Sequence, residues 1–266
     1  MDQSDELTQE KLDQIYQEVE LKTALLNKLL VENFSDRFCD LSFSEILEII
    51  GADSNSLILD LGANIGQQID ESKSFGVIIH AFEPHPVIFN LLSQKYGNSK
   101  NVTLLNAAAG TDTGKFRLFY KGEEDRINGG ATLLPWKITE GDAVADRMKE
   151  HTESKFADVD CYNISEYIAN LNKKIKVLKI DVEGFEYAIL DNLIKSGQIN
   201  NIEYILFEDH SSCFAYLPWF DIAIKAINDF RNIETSTKIM IWTGSDDNDE
   251  HILSELLSSP NLSENT

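Results

Sequence analysis

The stretch Leu57-Ile58-Leu59 has no polar face. A strand with apolar side chains on both sides must be covered on both, the condition of a strand inside a parallel sheet flanked by helices. The run then meets Asp60-Leu61-Gly62-Ala63-Asn64-Ile65-Gly66, whose glycines let the backbone turn and approach a ligand closely by keeping side chains out of its path. Two further apolar runs end in the same manner. Val77-Ile78-Ile79-His80-Ala81-Phe82 closes on Glu83-Pro84, and Ile175 to Ile180 closes on Asp181-Val182-Glu183-Gly184-Phe185-Glu186. Carboxylates at the carboxyl ends of strands stand where open α/β sheets bind their ligands.

The rest of the chain agrees with an α/β alternation. Strands are expected over 57–61, 77–82, 102–107, 115–120, 157–162, 175–180, 202–207 and 238–242, with helices near 65–73, 86–96, 139–151, 165–171 and 219–230. Ahead of them, Thr8 to Phe34 carries no Gly or Pro and spaces Leu12, Ile15, Tyr16, Val19, Leu26, Leu29 and Leu30 as a helix would. A second helix follows from Ser42, its cap, to Ile50. Three parts result: a helical extension over 1–50, a sheet domain over 51–244 and an acidic, loose tail over 245–266. The apolar stripe of the extension either covers the sheet domain or serves a homodimer or substrate capture. A long loop, 121–135, holds Gly122, Gly129 and Gly130 and is placed to close over a site.

Charge narrows the partners. Lys and Arg number 23 against 45 Asp and Glu, a formal net charge of −22. Such a surface repels nucleic-acid phosphates and anionic lipid, so neither is expected as a partner. No apolar run approaches the roughly 20 residues of a membrane span, and Met1 to Glu6 lacks the basic and apolar parts of a signal peptide, so a cytoplasmic protein is expected. Cys39, Cys161 and Cys213 are odd in number and show no metal-ligand spacing, which argues for buried thiols.

The glycine turn separates two cofactor classes. A dinucleotide fingerprint G-x-G-x-x-G aligned from Gly62 meets Asn64 and Gln67 where glycines should stand, so the close approach of a pyrophosphate is not provided for. A nicotinamide-linked oxidoreductase is thereby disfavoured, and a cofactor without phosphates fits. S-adenosylmethionine is one: its amino and carboxylate groups would meet Asp60 and the backbone near Gly62, its ribose Glu83 and its adenine Asn106, with Asn64, Gly66 and Asp181 completing the cofactor set.

Asp60-Leu61-Gly62-Ala63-Asn64-Ile65-Gly66, Ala81-Phe82-Glu83-Pro84-His85-Pro86, the segment Val102 to Gly110, Gly130-Ala131-Thr132-Leu133 and Leu178 to Glu186 together resemble the FkbM-type methyltransferases over roughly residues 57–210. The last motif is the most specific. The resemblance implies a class I, Rossmann-like methyltransferase fold with a seven-stranded, mostly parallel sheet, S-adenosylmethionine as donor, and O-methylation of a saccharide, glycan or specialised metabolite. Two departures stand out: His85 where the family commonly has Asn or Asp, and Ile164-Ser165-Glu166 where it has Leu-Asp-Asp.

Methyl transfer to a hydroxyl requires the oxygen to be held in line with the methyl and its proton to be removed. Strand ends supply the candidates Asp181, Glu208 and His210, with His210 as base because an imidazole titrates near neutrality. No metal is needed for this chemistry; Asp181, Glu208 and His210 as ligands of a divalent cation form the alternative. Lys179 and Asp181 also suit a buried ion pair, since both point to one face of a buried strand. Glu183, Thr132, Tyr216 and Trp219 are candidates for acceptor binding, and Glu183 and Glu186 equally suit the start of a helix. His85 stands near the adenosine, whereas His80 and His151 read as structural or surface residues. A noncatalytic protein that keeps the cofactor pocket and recruits a partner through its first helix is the second functional reading.

Overall fold

The computed structural model describes residues 9–34, 41–120, 130–134, 155–210 and 217–242. The expected helix 139–151, Tyr216 and the tail 245–266 lie outside the described residues, as do Gly129, Cys39 and Cys213. The order of elements is α1 (Gln9–Phe34), α2 (Phe43–Ile49), β1 (Leu57–Leu61), α3 (Gln67–Ser72), β2 (Ile78–Phe82), α4 (Pro86–Tyr96), β3 (Val102–Leu105), β4 (Ala108–Gly110) and β5 (Gly114–Tyr120). The chain continues with β6 (Lys155–Asn163), α5 (Ile164–Leu171), β7 (Ile175–Ile180), α6 (Glu186–Lys195), β8 (Ile202–Phe207), α7 (Leu217–Asn232) and β9 (Lys238–Ile241).

The main sheet runs β3-β2-β1-β7-β8-β9 with every pair parallel. All five residues of β1 are buried, as the unbroken apolar run requires of a strand with helices on both faces. One face is filled by α1, α5, α6 and α7, the other by α2, α3 and α4, whose Phe43, Ile46, Ile69, Leu92 and Tyr96 pack with Ile58, Ile79 and Val177. Strand order reverses between β1 and β7, so a crevice opens at their carboxyl ends, where Leu61 stands beside Ile180.

The expected seven-stranded sheet is, among the described residues, a six-stranded one. Strands β5 and β6 leave it and form a separate sheet of order β4-β6-β5, antiparallel between β5 and β6 and parallel between β4 and β6. The reason lies in their side chains: β6 buries Val159 and Cys161 while its alternate residues stay exposed, a one-sided strand that suits a small sheet lying over the main one.

The amino-terminal extension is docked. Leu26, Leu29 and Leu30 of α1 belong to the same core as Phe220, Ala223 and Ile227 of α7, and Lys22 pairs with Asp221 across the seam at 2.7 Å. Val19, Leu26, Leu29 and Leu30 of the stripe thus pack on the sheet domain, while Leu21 and Leu25 are exposed. Ser42 caps α2 in a reciprocal box with Glu45, as the sequence suggests. No described helix is long and apolar enough to cross a membrane.

If α1 folds as part of the sheet domain, Leu26→Ala, which empties a fully buried position, should cost about 2–5 kcal/mol in a urea titration followed by circular dichroism. Loss below about 1 kcal/mol would mean that α1 is only loosely attached.

Candidate active site

Beneath the crevice the strands are held by a buried lysine. Lys179 of β7 is 2 % exposed, and its Nζ donates to the Gly62 carbonyl at 2.8 Å while lying 3.0 Å from Asp181 Oδ2 and 3.3 Å from Asp60 Oδ1. Burial works against the ammonium charge, but Asp181 and Asp60 outweigh it and raise Lys179 above the ordinary lysine value. Burial pushes the Asp60 carboxyl up despite Lys179, whereas in Asp181 the burial penalty is overcome by Lys179 and then His210, which hold it low. The expected pairing of Lys179 with Asp181 is therefore present and extends to β1.

Gly62 follows directly. Its φ is +85°, and a Cβ there would stand 1.8 Å from the Asp181 carbonyl oxygen. The glycine is required by the approach of one strand end to another, not only by room for a ligand. Gly66 caps α3 with φ +86° and accepts from the Tyr96 hydroxyl at 3.0 Å, so it shapes the turn from outside the cavity lining.

The cavity above this turn has a volume of about 330 Å³, within the range of small-molecule sites. Gly62, Asn64, Glu83, Asp181, Glu183 and Glu208 supply its polar lining, and Phe82, Ile88 and Leu118 are among the apolar residues. Glu83 directly follows β2, with Oε1 accepting from His85 N–H at 2.7 Å and Oε2 from Asn64 N–H at 2.9 Å. Burial, opposed by those two N–H groups and Lys179, raises its pKa to about 7. Asn64 also leaves a buried Oδ1 with no hydrogen-bond partner among the described residues. An amino-acid-bearing cofactor with a ribose fits this set: its ammonium group meets an orphaned acceptor, and its diol meets a carboxylate already fixed in place.

Behind the cavity-lining carboxylates, His210 Nδ1 donates to Glu186 Oε1 at 2.9 Å, and its Nε2 lies 3.2 Å from Glu183 Oε2, 3.5 Å from Glu208 Oε1 and 4.0 Å from Asp181 Oδ1. Burial disfavours the imidazolium, but Glu186 first, then Glu183 and Asp181, overcome it and hold His210 protonated well above its usual value. A protonated imidazole takes no further proton. His210, the residue expected as base, thus faces Glu183, Glu208 and Asp181 as a cation in this arrangement, and those three carboxylates line the cavity.

Other candidates are placed elsewhere. Asp60 is fully buried outside the cavity lining, below Gly62 in the lysine network. Asn106 is exposed and donates to the carbonyls of Glu83 and Pro84 at 2.9 and 3.3 Å, holding that turn. Thr132 is buried, pairs with Phe119 of β5 and donates to the Glu183 carbonyl at 2.6 Å, while its neighbours Gly130, Ala131 and Leu133 line the cavity. Trp219 is in the core, its indole N–H on the Gly184 carbonyl at 2.6 Å and its ring against Tyr187. His85 is buried, accepts from Val87 N–H as the cap of α4 and stacks edge-on with Tyr120. His80 meets the Tyr167 hydroxyl, the structural role expected of it.

Glu186 was not among the candidates. It is wholly buried, and its Oε1 accepts from the N–H groups of Val182 and Gly184 as well as facing His210. A carboxylate in the first turn of a helix is so common that its sequence position carries no signal of this contact.

Against known proteins, a family model described as Methyltransferase FkbM domain matches residues 60–235. No curated protein matches the chain. The matched span holds the turn at Gly62, Glu83, Asp181 and His210.

Two glycines separate backbone strain from collision. Gly197 has φ +74° with nothing near its missing Cβ, so Gly197→Ala should cost about 1–2 kcal/mol. Gly62→Ala adds the clash with the Asp181 carbonyl and should lower the melting temperature considerably further or prevent folding; equal melting temperatures for the two variants would refute the close approach.

Proposed function

The chain belongs to the FkbM methyltransferase family and is a methyltransferase, and we propose that it moves the methyl group of S-adenosylmethionine to a hydroxyl of a small acceptor, a saccharide, glycan or specialised metabolite. The observation that carries the donor assignment is Glu83: a carboxylate fixed by two backbone N–H groups just past the carboxyl end of β2, lining the same cavity as Asp181. When bound, the donor supplies a methyl group on a sulfonium, open to in-line displacement at carbon.

The chain's own residues then have separate tasks. Glu83 accepts the ribose hydroxyls, and Asn64 Oδ1 accepts from the amino group. Phe82, Ile88 and Leu118 offer an apolar slot for the adenine, with Leu118 contributed by the small sheet that covers the cavity and excludes water. The acceptor hydroxyl lies at the end lined by Asp181, Glu183 and Glu208, and its proton leaves to Glu208 as the new bond forms. Asp181, tied to Lys179, stays ionised and faces the sulfonium end of the cavity. Acceptance of a hydroxyl over a charged anionic group is supported by the carboxylates there, which would repel an anion.

Calorimetry with S-adenosylmethionine, S-adenosylhomocysteine and NAD tests the donor: both adenosyl compounds should bind and NAD should not, and tighter binding of NAD would overturn the reading. Donor affinity should also depend on pH in a defined direction. Ribose hydroxyls donate to ionised Glu83, whose pKa of about 7 leaves it protonated in acid. Binding then expels a proton, so the dissociation constant should be flat above about pH 8 and rise up to about tenfold per unit below pH 7. Glu83→Gln should bind roughly ten to a hundred times more weakly and lose this slope, since a charged hydrogen bond is worth about 1.5–3 kcal/mol.

A further inference from the structure

We propose that the carboxyl ends of β7 and β8 hold a divalent transition-metal ion, bound by Asp181, Glu183 and His210 and open to the cavity. One ligand atom from each of these residues lies within 4.8 Å of the others. Two atoms bound at about 2.0–2.2 Å to one ion at tetrahedral or octahedral angles stand about 2.8–3.6 Å apart. His210 Nε2 and Glu183 Oε2 are already 3.2 Å apart, and Asp181 Oδ1 lies 4.0 Å from Nε2.

The surroundings are built for a ligating imidazole. Glu186, pinned by the N–H groups of Val182 and Gly184, holds His210 Nδ1 at 2.9 Å and thereby turns Nε2 towards Asp181 and Glu183. A carboxylate behind a metal-bound histidine sets its tautomer and orientation in the same manner. Asp181 divides its two oxygens: Oδ2 stays on Lys179 at 3.0 Å, leaving Oδ1 on the His210 side. Glu183 is fixed from behind by the Thr132 hydroxyl on its carbonyl.

Asp181, Glu183 and Glu208 line the cavity, so three protein ligands would leave coordination positions facing it, the arrangement of a catalytic rather than a structural metal site. One nitrogen and two carboxylates suit Mn²⁺, Fe²⁺, Co²⁺ or Zn²⁺ better than Ca²⁺, which takes six to eight oxygens. On binding, the ion displaces the proton from Nε2 to solvent. What it does there rests on the function proposed above: it takes the acceptor hydroxyl and lowers its pKa, and Glu208 receives the proton.

The test uses the full chain, freed of metal with a chelator and titrated with Mn²⁺ alone while the free-ion signal is read by electron paramagnetic resonance. One Mn²⁺ per chain is expected, with binding at least tenfold weaker in His210→Gln and in Glu183→Gln. If His210→Gln does not fold, Glu183→Gln, whose side chain is 21 % exposed, decides the matter by itself. Failure of the wild type to bind Mn²⁺ stoichiometrically, or equal binding by folded Glu183→Gln, overturns the site. A methyl-transfer assay separates the two readings: transfer unaffected by chelator removes the ion from the reaction and leaves the methyltransferase reading standing, whereas stoichiometric Mn²⁺ binding without donor binding supports the site and counts against the proposed donor.

Discussion

A single ammonium group holds the functional end of this molecule together. Lys179 sits on a strand buried on both faces, where an unpaired charge would not be tolerated, and it meets that demand by reaching Asp60, Asp181 and the Gly62 carbonyl at once. Those partners come from the ends of two strands far apart in the chain. Their convergence on one nitrogen sets the distance between β1 and β7 at the switch point, and that distance leaves no room for a side chain on Gly62. The ligand crevice is shaped by this ion network as much as by the glycine turn.

Above the network the site is assembled in two halves. On one side Glu83 is fixed by N–H groups from Asn64 and His85, so that its carboxylate is held before any ligand arrives. On the other, Glu186 orients His210, and His210 gathers Glu183 and Glu208. The small sheet joins the two: Thr132 is paired to β5 on its backbone and to Glu183 through its hydroxyl, so the cover of the cavity and its carboxylate-lined wall share a residue. Such preorganisation is what a displacement at carbon requires, because the reacting atoms are aligned by rigid surroundings rather than by chemistry on the protein.

Sequence and structure agree where burial is two-sided. Strands β1, β2, β7 and β8 appear within a residue or so of their expected limits, since an apolar run flanked by turns has few other places to go. Agreement fails where the chain is one-sided or small. β4 is Ala108-Ala109-Gly110, three residues without periodicity, and it is a strand only because β6 lies beside it. β5 and β6 alternate as strands should, but alternation does not say which sheet they join. Trp219 and Thr132 illustrate the same limit: an aromatic ring and a hydroxyl suit acceptor contacts, yet packing turned one into the core and the other onto a carbonyl.

By itself the sequence determined the α/β class, the placement of Glu83 and Asp181 at strand ends and the need of Lys179 for a carboxylate, because each follows from local periodicity and from the cost of burying charge. Only the tertiary structure decided that Gly62 is excluded from bearing a side chain by Asp181, that Glu186 stands behind His210, and that a separate sheet closes the cavity. These depend on contacts between segments remote in sequence, whose geometry is settled by how strands align and helices pack, and no spacing within one segment encodes it.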